Sequence, residues 1–155
     1  MLATLLAPGA QAQPAPGELL EPVRPACISS PFGNRRAPGP RAIGFHNGID
    51  LPAAAGAPVF AAAAGSVVTI HRRGPGGVEM AIAHHGPAGA YTTLYAHLGQ
   101  IAPAFATGKT SVKAGERIAV IGRSGVTYGT HLYFEILVDG KPVDPAPFLG
   151  APQCR

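Results

Sequence analysis

From Ile28 onward the apolar positions fall into short runs separated by turn residues, a pattern that predicts strands rather than helices. Residues 58–70, PVFAAAAGSVVTI, are β-branched at both ends and interrupted by Gly65, which predicts two strands meeting at a bend or bulge. Residues 78–83, 91–97 and 117–122 predict further strands. The clearest is 131–138, HLYFEILV, whose strict alternation puts His131, Tyr133 and Glu135 on one face and Leu132, Phe134 and Ile136 on the core face. Asp139-Gly140 and then Lys141-Pro142-Val143 follow it, a two-residue hairpin signal. No window of eleven or more residues carries a helical stripe. The expected class is all-β with antiparallel sheets.

Composition narrows this picture. Of 155 residues, 46% are hydrophobic and 13% charged, which excludes a disordered chain. Gly (21) and Pro (17) make up about a quarter of the sequence without the three-residue period of collagen, which excludes a helical bundle or coiled coil. The length suits one domain. Residues 1–12, MLATLLAPGAQA, end in a small-x-small triplet and are expected to be a truncated export signal lacking its basic start. Residues 13–27, rich in proline, are expected to be a linker, 28–150 the domain, and 151–155 a tail carrying Cys154. No apolar stretch approaches the roughly 18 residues of a membrane span.

The net charge of +4 and a pI near 9.4 point to an anionic partner without naming it. Arg35, Arg36 and Arg41 cluster and Arg72 adjoins Arg73, but no basic helix or aromatic-basic ladder follows and Trp is absent. Nucleic acid is therefore not the expected partner, and an anionic wall polymer accounts for the charge equally well. Cys27 and Cys154 have neither CxxC nor zinc-finger spacing. A disulfide tying the two ends of one domain is expected, which requires an oxidising compartment; two separate buried thiols are the alternative.

Six histidines remain as candidate chemistry. His71, beside Arg72 and Arg73, is expected in solvent, and His84 and His85 at the Gly86-Pro87 turn. His46 and Asp50 stand four apart with Gly48 between them, a spacing that can aim nitrogen and oxygen at one small cation; an ordinary Gly/Asn/Asp surface turn is the alternative. His131 lies on the polar face of its strand, and His97, closing residues 91–97, could reach the same area from a neighbouring strand.

These residues sit in motifs that resemble the lysostaphin-type, or LytM-like, zinc metallopeptidases. The resemblance is carried by Ser30-Pro31-Phe32-Gly33-Asn34-Arg35, Phe45-His46-Asn47-Gly48-Ile49-Asp50-Leu51, Gly56-Ala57-Pro58-Val59 and Tyr95-Ala96-His97-Leu98. It continues through Val112-Lys113-Ala114-Gly115, Ile121-Gly122, Ser124-Gly125, Thr130-His131-Leu132, Phe134-Glu135 and Lys141-Pro142-Val143-Asp144-Pro145. It runs in order over residues 29–149. The resemblance implies antiparallel sheets in a β-hybrid sandwich with an open groove and a duplicated hybrid motif. It also implies a peptidoglycan substrate, an exported, periplasmic or secreted protein, and a monomer. Zinc would be held by His46, Asp50 and the second histidine of a His-x-His strand, with an open position for water. His97 and His131 would bind or deprotonate that water and stabilise the oxyanion. Asn34, Arg35, Tyr95 and Glu135 would border the substrate groove.

The sequence departs from the family pattern at one ligand. Tyr133 stands where the last zinc-binding histidine is expected, and phenol, with a pKa near 10, is a poor substitute. Three outcomes follow: the metal is lost and the groove binds peptidoglycan or a partner; it is held weakly with Tyr133 as phenolate; or Glu135 is recruited. The resemblance also implies a precedent for the first outcome: some proteins of this type that have lost ligands activate separate cell-wall amidases, usually with a long coiled-coil arm, a pattern absent from residues 1–155. A second resemblance, of Val112-Lys113-Ala114-Gly115-Glu116 with Ile118 and Ile121-Gly122 to biotinyl and lipoyl carriers, is set aside because Lys109, Lys113 and Lys141 lie in no carrier motif.

Overall fold

The computed structural model describes residues 14–15, 18–41 and 44–155; the expected export signal lies outside them. The strands are β1 (Gly33–Asn34), β2 (Phe45–His46), β3 (Ile49–Pro52), β4 (Pro58–Phe60), β5 (Gly65–His71), β6 (Val78–Gly86), β7 (Gly89–Ile101), β8 (Ser111–Val112), β9 (Arg117–Ile121), β10 (His131–Val138) and β11 (Lys141–Val143). Two single-turn helices, α1 (Pro103–Ala106) and α2 (Ala146–Leu149), complete the set. All strand pairings are antiparallel, as the turn-rich sequence predicts. The main sheet runs β11-β10-β7-β6-β5-β8, with β3 beside β10 and β9 bridging β4 and β7.

β10 is the spine. On one edge it pairs with β7 and on the other with β3 and then β11, so each of its outward side chains has a neighbour from another strand. Leu132, Phe134 and Ile136 are fully buried, as the alternation requires. They join Ile49, Leu51, Met80, Ile82, Tyr95 and Leu98 in one core. Asp139 and Gly140 both have positive φ (51° and 72°), the backbone of the predicted two-residue hairpin turn. The bend expected near Gly65 lies between β4 and β5, and a register shift between Val67 and Thr69 supplies the bulge.

The expected linker is part of the body. Leu19, Val23, Ala26 and Ile28 are buried in the core. The Leu19 N–H donates to Phe148 O (3.1 Å), Leu20 N–H to Ala62 O (2.9 Å), and Pro22 O accepts from Phe60 N–H (2.9 Å). Proline density marks extended backbone but not whether that backbone is free; here the apolar residues between the prolines anchor it as a strap. Burying the Leu19 and Val23 side chains contributes roughly 3–6 kcal/mol. The tail is tied as well: Ile28 N–H donates to Pro152 O (2.8 Å), Cys154 N–H donates to Ile28 O (3.0 Å), and Cys27 is disulfide-bonded to Cys154.

His84 does not sit at the turn. β6 runs through it to Gly86, and the side chain points inward, 1% exposed. His71 is exposed and paired with Glu79 at 3.0 Å. Among the described residues no helix is long and apolar enough to cross a membrane.

Candidate functional site

Strand register assembles the site. Tyr133 of β10 lies opposite Asp50 of β3 on one side and Ala96 of β7 on the other, so the outward face of β10 meets the segments that carry Asp50 and His97. His46 reaches the same place from β2 because the turn at Gly48 lies directly on β10: a Cβ there would fall 2.4 Å from the Phe134 carbonyl oxygen and 2.9 Å from the Tyr133 ring. Only glycine permits that approach.

Asp50 is the centre of the charge pattern. Its Oδ1 stands 3.2 Å from His46 Nε2 and 3.3 Å from His131 Nε2, and its Oδ2 stands 3.4 Å from an Arg35 nitrogen. The same Arg35 nitrogen also donates to the Ser30 hydroxyl. Burial alone would raise the Asp50 pKa, but the His46 hydrogen bond and the charges of His131, His46 and Arg35 outweigh it and hold the carboxyl below its usual value. His131 is pushed down, by burial first and by neighbouring His97, His46 and Arg35, against the pull of Asp50.

His46 and His97 each carry a proton on Nδ1. His46 Nδ1 donates to the Pro31 carbonyl and His97 Nδ1 to the Ser124 carbonyl, both at 2.9 Å. Carbonyls only accept, so each Nε2 is left to face the cleft. The rings of His97 and His131 meet edge-on with centroids 5.4 Å apart. These side chains line a cavity of about 420 Å³ together with Arg41, Glu79 and Tyr128.

Tyr133 occupies the middle, its ring 5.4 Å from that of His46 and 6.1 Å from that of His97. Its hydroxyl donates to Glu135 Oε2 at 2.6 Å. Burial, then the Glu135 and Asp50 charges, push the phenol far above its ordinary pKa. Two carboxylates beside a buried phenol oppose a third negative charge there, so the hydroxyl keeps its proton in this arrangement. Glu135 is itself buried, which raises its pKa, and it is engaged with Tyr133 rather than with His46 or Asp50.

Of the expected groove residues, Arg35 lines the cavity and Glu135 lies behind Tyr133. Asn34 is exposed and does not line it. Tyr95 does not line it either: it is fully buried, and its hydroxyl accepts the Ala62 N–H at 2.9 Å. The reason is His97, whose φ of 61° breaks the two-residue alternation and turns the ring into the cleft while Tyr95 stays in the core. Glu79 and Tyr128 were not anticipated. Glu79 sits on the alternate face of a predicted strand, a signal that could have found it, whereas Tyr128 lies in an aperiodic loop.

The sequence model of Peptidase family M23 matches residues 44–145. The chain belongs to peptidase family M23. It is 39% identical over 126 residues to a DD-carboxypeptidase/endopeptidase, Mpg, of Neisseria meningitidis, covering 81% of this chain and 28% of that protein. It is 35% identical over 118 residues to the peptidoglycan DD-endopeptidase ShyB of Vibrio cholerae, covering 76% of this chain and 26% of that one. The M23 domain described here thus spans about a quarter of these relatives. Among solved structures, the catalytic domain of lysostaphin from Staphylococcus simulans aligns with TM-score 0.68 at 25% identity, over 81% of this chain and 93% of that one. A zinc-containing peptidase from Vibrio cholerae aligns with TM-score 0.68 at 29% identity, over 92% and 41%.

His46 Nε2 faces Asp50 Oδ1, a contact that is attractive only with a proton or a cation between the two atoms, and this suits a metal. Beside them stands the Tyr133 phenol, whose proton is donated to Glu135. Among the described residues no three His, Cys, Asp or Glu side chains are arranged around a common metal position. The imidazole and carboxylate of His46 and Asp50 suit the cation, and the Tyr133 phenol, its proton turned to Glu135, does not.

Proposed function

We propose that this domain is a peptidoglycan-directed M23 endopeptidase domain with an impaired zinc centre, acting in cell-wall remodelling outside the cytoplasm. The observation that carries the reading is the Tyr133 hydroxyl donating to Glu135 in the position of the missing histidine ligand. His46 and Asp50 supply what affinity for zinc there is, and His97 and His131 stand over the opening. Arg35 and Arg41 give the cleft cations suited to the carboxylates of a wall peptide. The Cys27–Cys154 bond supports residence in an oxidising compartment. The domain acts as a monomer.

A second reading, a non-catalytic wall-binding or amidase-regulating module, is favoured by the survival of a cavity of about 420 Å³ beside the failed third ligand. The test is co-sedimentation with purified peptidoglycan sacculi, alongside measured zinc content and released muropeptides. Binding with less than stoichiometric zinc is expected. Absence of binding overturns the substrate assignment, and stoichiometric zinc with rapid muropeptide release overturns the impairment.

A further inference from the structure

Ser124 lies outside every strand, in the loop between β9 and β10, yet it joins three parts of the cleft wall. Its hydroxyl donates to the Leu98 carbonyl at 2.6 Å and accepts the Val78 N–H at 2.9 Å. Its own carbonyl accepts the His97 Nδ1 proton at 2.9 Å. The same loop is fastened to the turn between β5 and β6, where the Val126 N–H donates to Pro75 O at 2.7 Å. That turn in turn holds the His97 backbone, whose N–H donates to Gly76 O at 2.9 Å. The two loops meet at glycine distance: a Cβ on Gly77 would lie 2.4 Å from Ser124 Oγ, and one on Gly125 2.3 Å from Pro75 O.

These contacts converge on a residue in an unfavourable backbone conformation. His97 has φ 61°, a left-handed geometry that a non-glycine residue keeps only when its surroundings impose it. The Ser124 carbonyl also decides where the imidazole proton sits, since a carbonyl cannot donate. We propose that Ser124 is a positioning residue, whose hydroxyl anchors the β9–β10 loop so that its carbonyl holds His97 in the Nδ1–H tautomer, with Nε2 presented to the cleft as an acceptor. The device is independent of whether the cleft takes a cation.

Imidazole ¹⁵N NMR at neutral pH, without added metal, tests this on the intact chain. The wild type is expected to show His97 as a single Nδ1–H tautomer, with a through-hydrogen-bond coupling between His97 Nδ1 and the Ser124 carbonyl carbon. In Ser124→Ala the single-tautomer pattern is expected to be lost to an averaged one, while backbone signals of the distant β10–β11 hairpin stay in place. A role confined to loop packing would leave the tautomer unchanged. An Nδ1–H pattern that survives in Ser124→Ala overturns the proposal. So does a wild-type His97 protonated on Nε2, which decides the matter even if the variant does not fold.

Discussion

Tyr133 and Glu135, two residues apart on the outward face of β10, are joined by a 2.6 Å hydrogen bond from phenol to carboxylate. Because both are largely buried, the bond satisfies groups that would otherwise be costly to bury. Tyr133→Phe removes the donor and leaves the buried Glu135 carboxyl without it. The expected loss is about 1–3 kcal/mol of unfolding free energy, read from urea denaturation. An unchanged midpoint would mean that water replaces the phenol there.

The strap is the part of the fold that composition conceals. Leu19→Ala is expected to cost about 2–5 kcal/mol, the range for a large-to-small core substitution, whereas truncating a side chain in a free linker costs almost nothing. Thermal or urea unfolding of the variant distinguishes the two.

The Cys27–Cys154 bond closes a loop across a sequence separation of 127 residues. In the chain-entropy model such a closure contributes roughly 4–5 kcal/mol by restricting the unfolded chain. The double variant Cys27→Ser/Cys154→Ser is expected to lose stability by up to that amount. Dithiothreitol is expected to lower the wild-type midpoint to the variant's and leave the variant's unmoved. A reductant-insensitive wild type would show that the two sulfurs are not paired.

Acid sensitivity follows from the buried His84. Its Nδ1 donates to Ala64 O at 2.8 Å, and its Nε2 lies 2.7 Å from the Thr93 hydroxyl, which is 3.2 Å from the Tyr95 hydroxyl. With the imidazole neutral, one run of donors satisfies the chain: Tyr95 to Thr93, Thr93 to His84 Nε2, and His84 Nδ1 to Ala64. Protonation reverses the middle of that run and buries a charge. Burial lowers the His84 pKa from 6.5, so the unfolded chain binds the proton more readily than the folded one. Stability from this group is therefore complete above about pH 6.5 and declines as pH falls below it. His131, also lowered from 6.5, acts with the same sign. Denaturation between about pH 7.5 and about pH 5 is expected to show a smaller loss for His84→Gln than for the wild type. An equal loss in both would show that His84 is not a source of the acid sensitivity.

What the sequence disclosed depended on whether a local rule survived the tertiary context. β10 was legible because a two-residue period with a core on one side has one consistent reading, and the Asp139-Gly140 turn follows from backbone preference alone. The pairing of His46 with Asp50 was legible from spacing and resemblance. Tyr95 was misplaced because the left-handed His97 reverses the alternation that would put both on one face, and no residue type announces that reversal. The strap was hidden because proline-rich extended chain has the same composition whether it is free or packed. The Tyr133–Glu135 bond was within reach, since the two share a face two residues apart, but which way the hydroxyl turns is set by the surrounding charges.

Under the proposed function, Tyr133 is what prevents a tight zinc centre beside His46 and Asp50. Zinc titration calorimetry of the wild type and Tyr133→His measures it most directly. Weak, sub-stoichiometric binding is expected in the wild type, and one tight site in the variant with affinity higher by orders of magnitude, because three protein ligands are then in place. A wild type that already binds one zinc as tightly as Tyr133→His would contradict it.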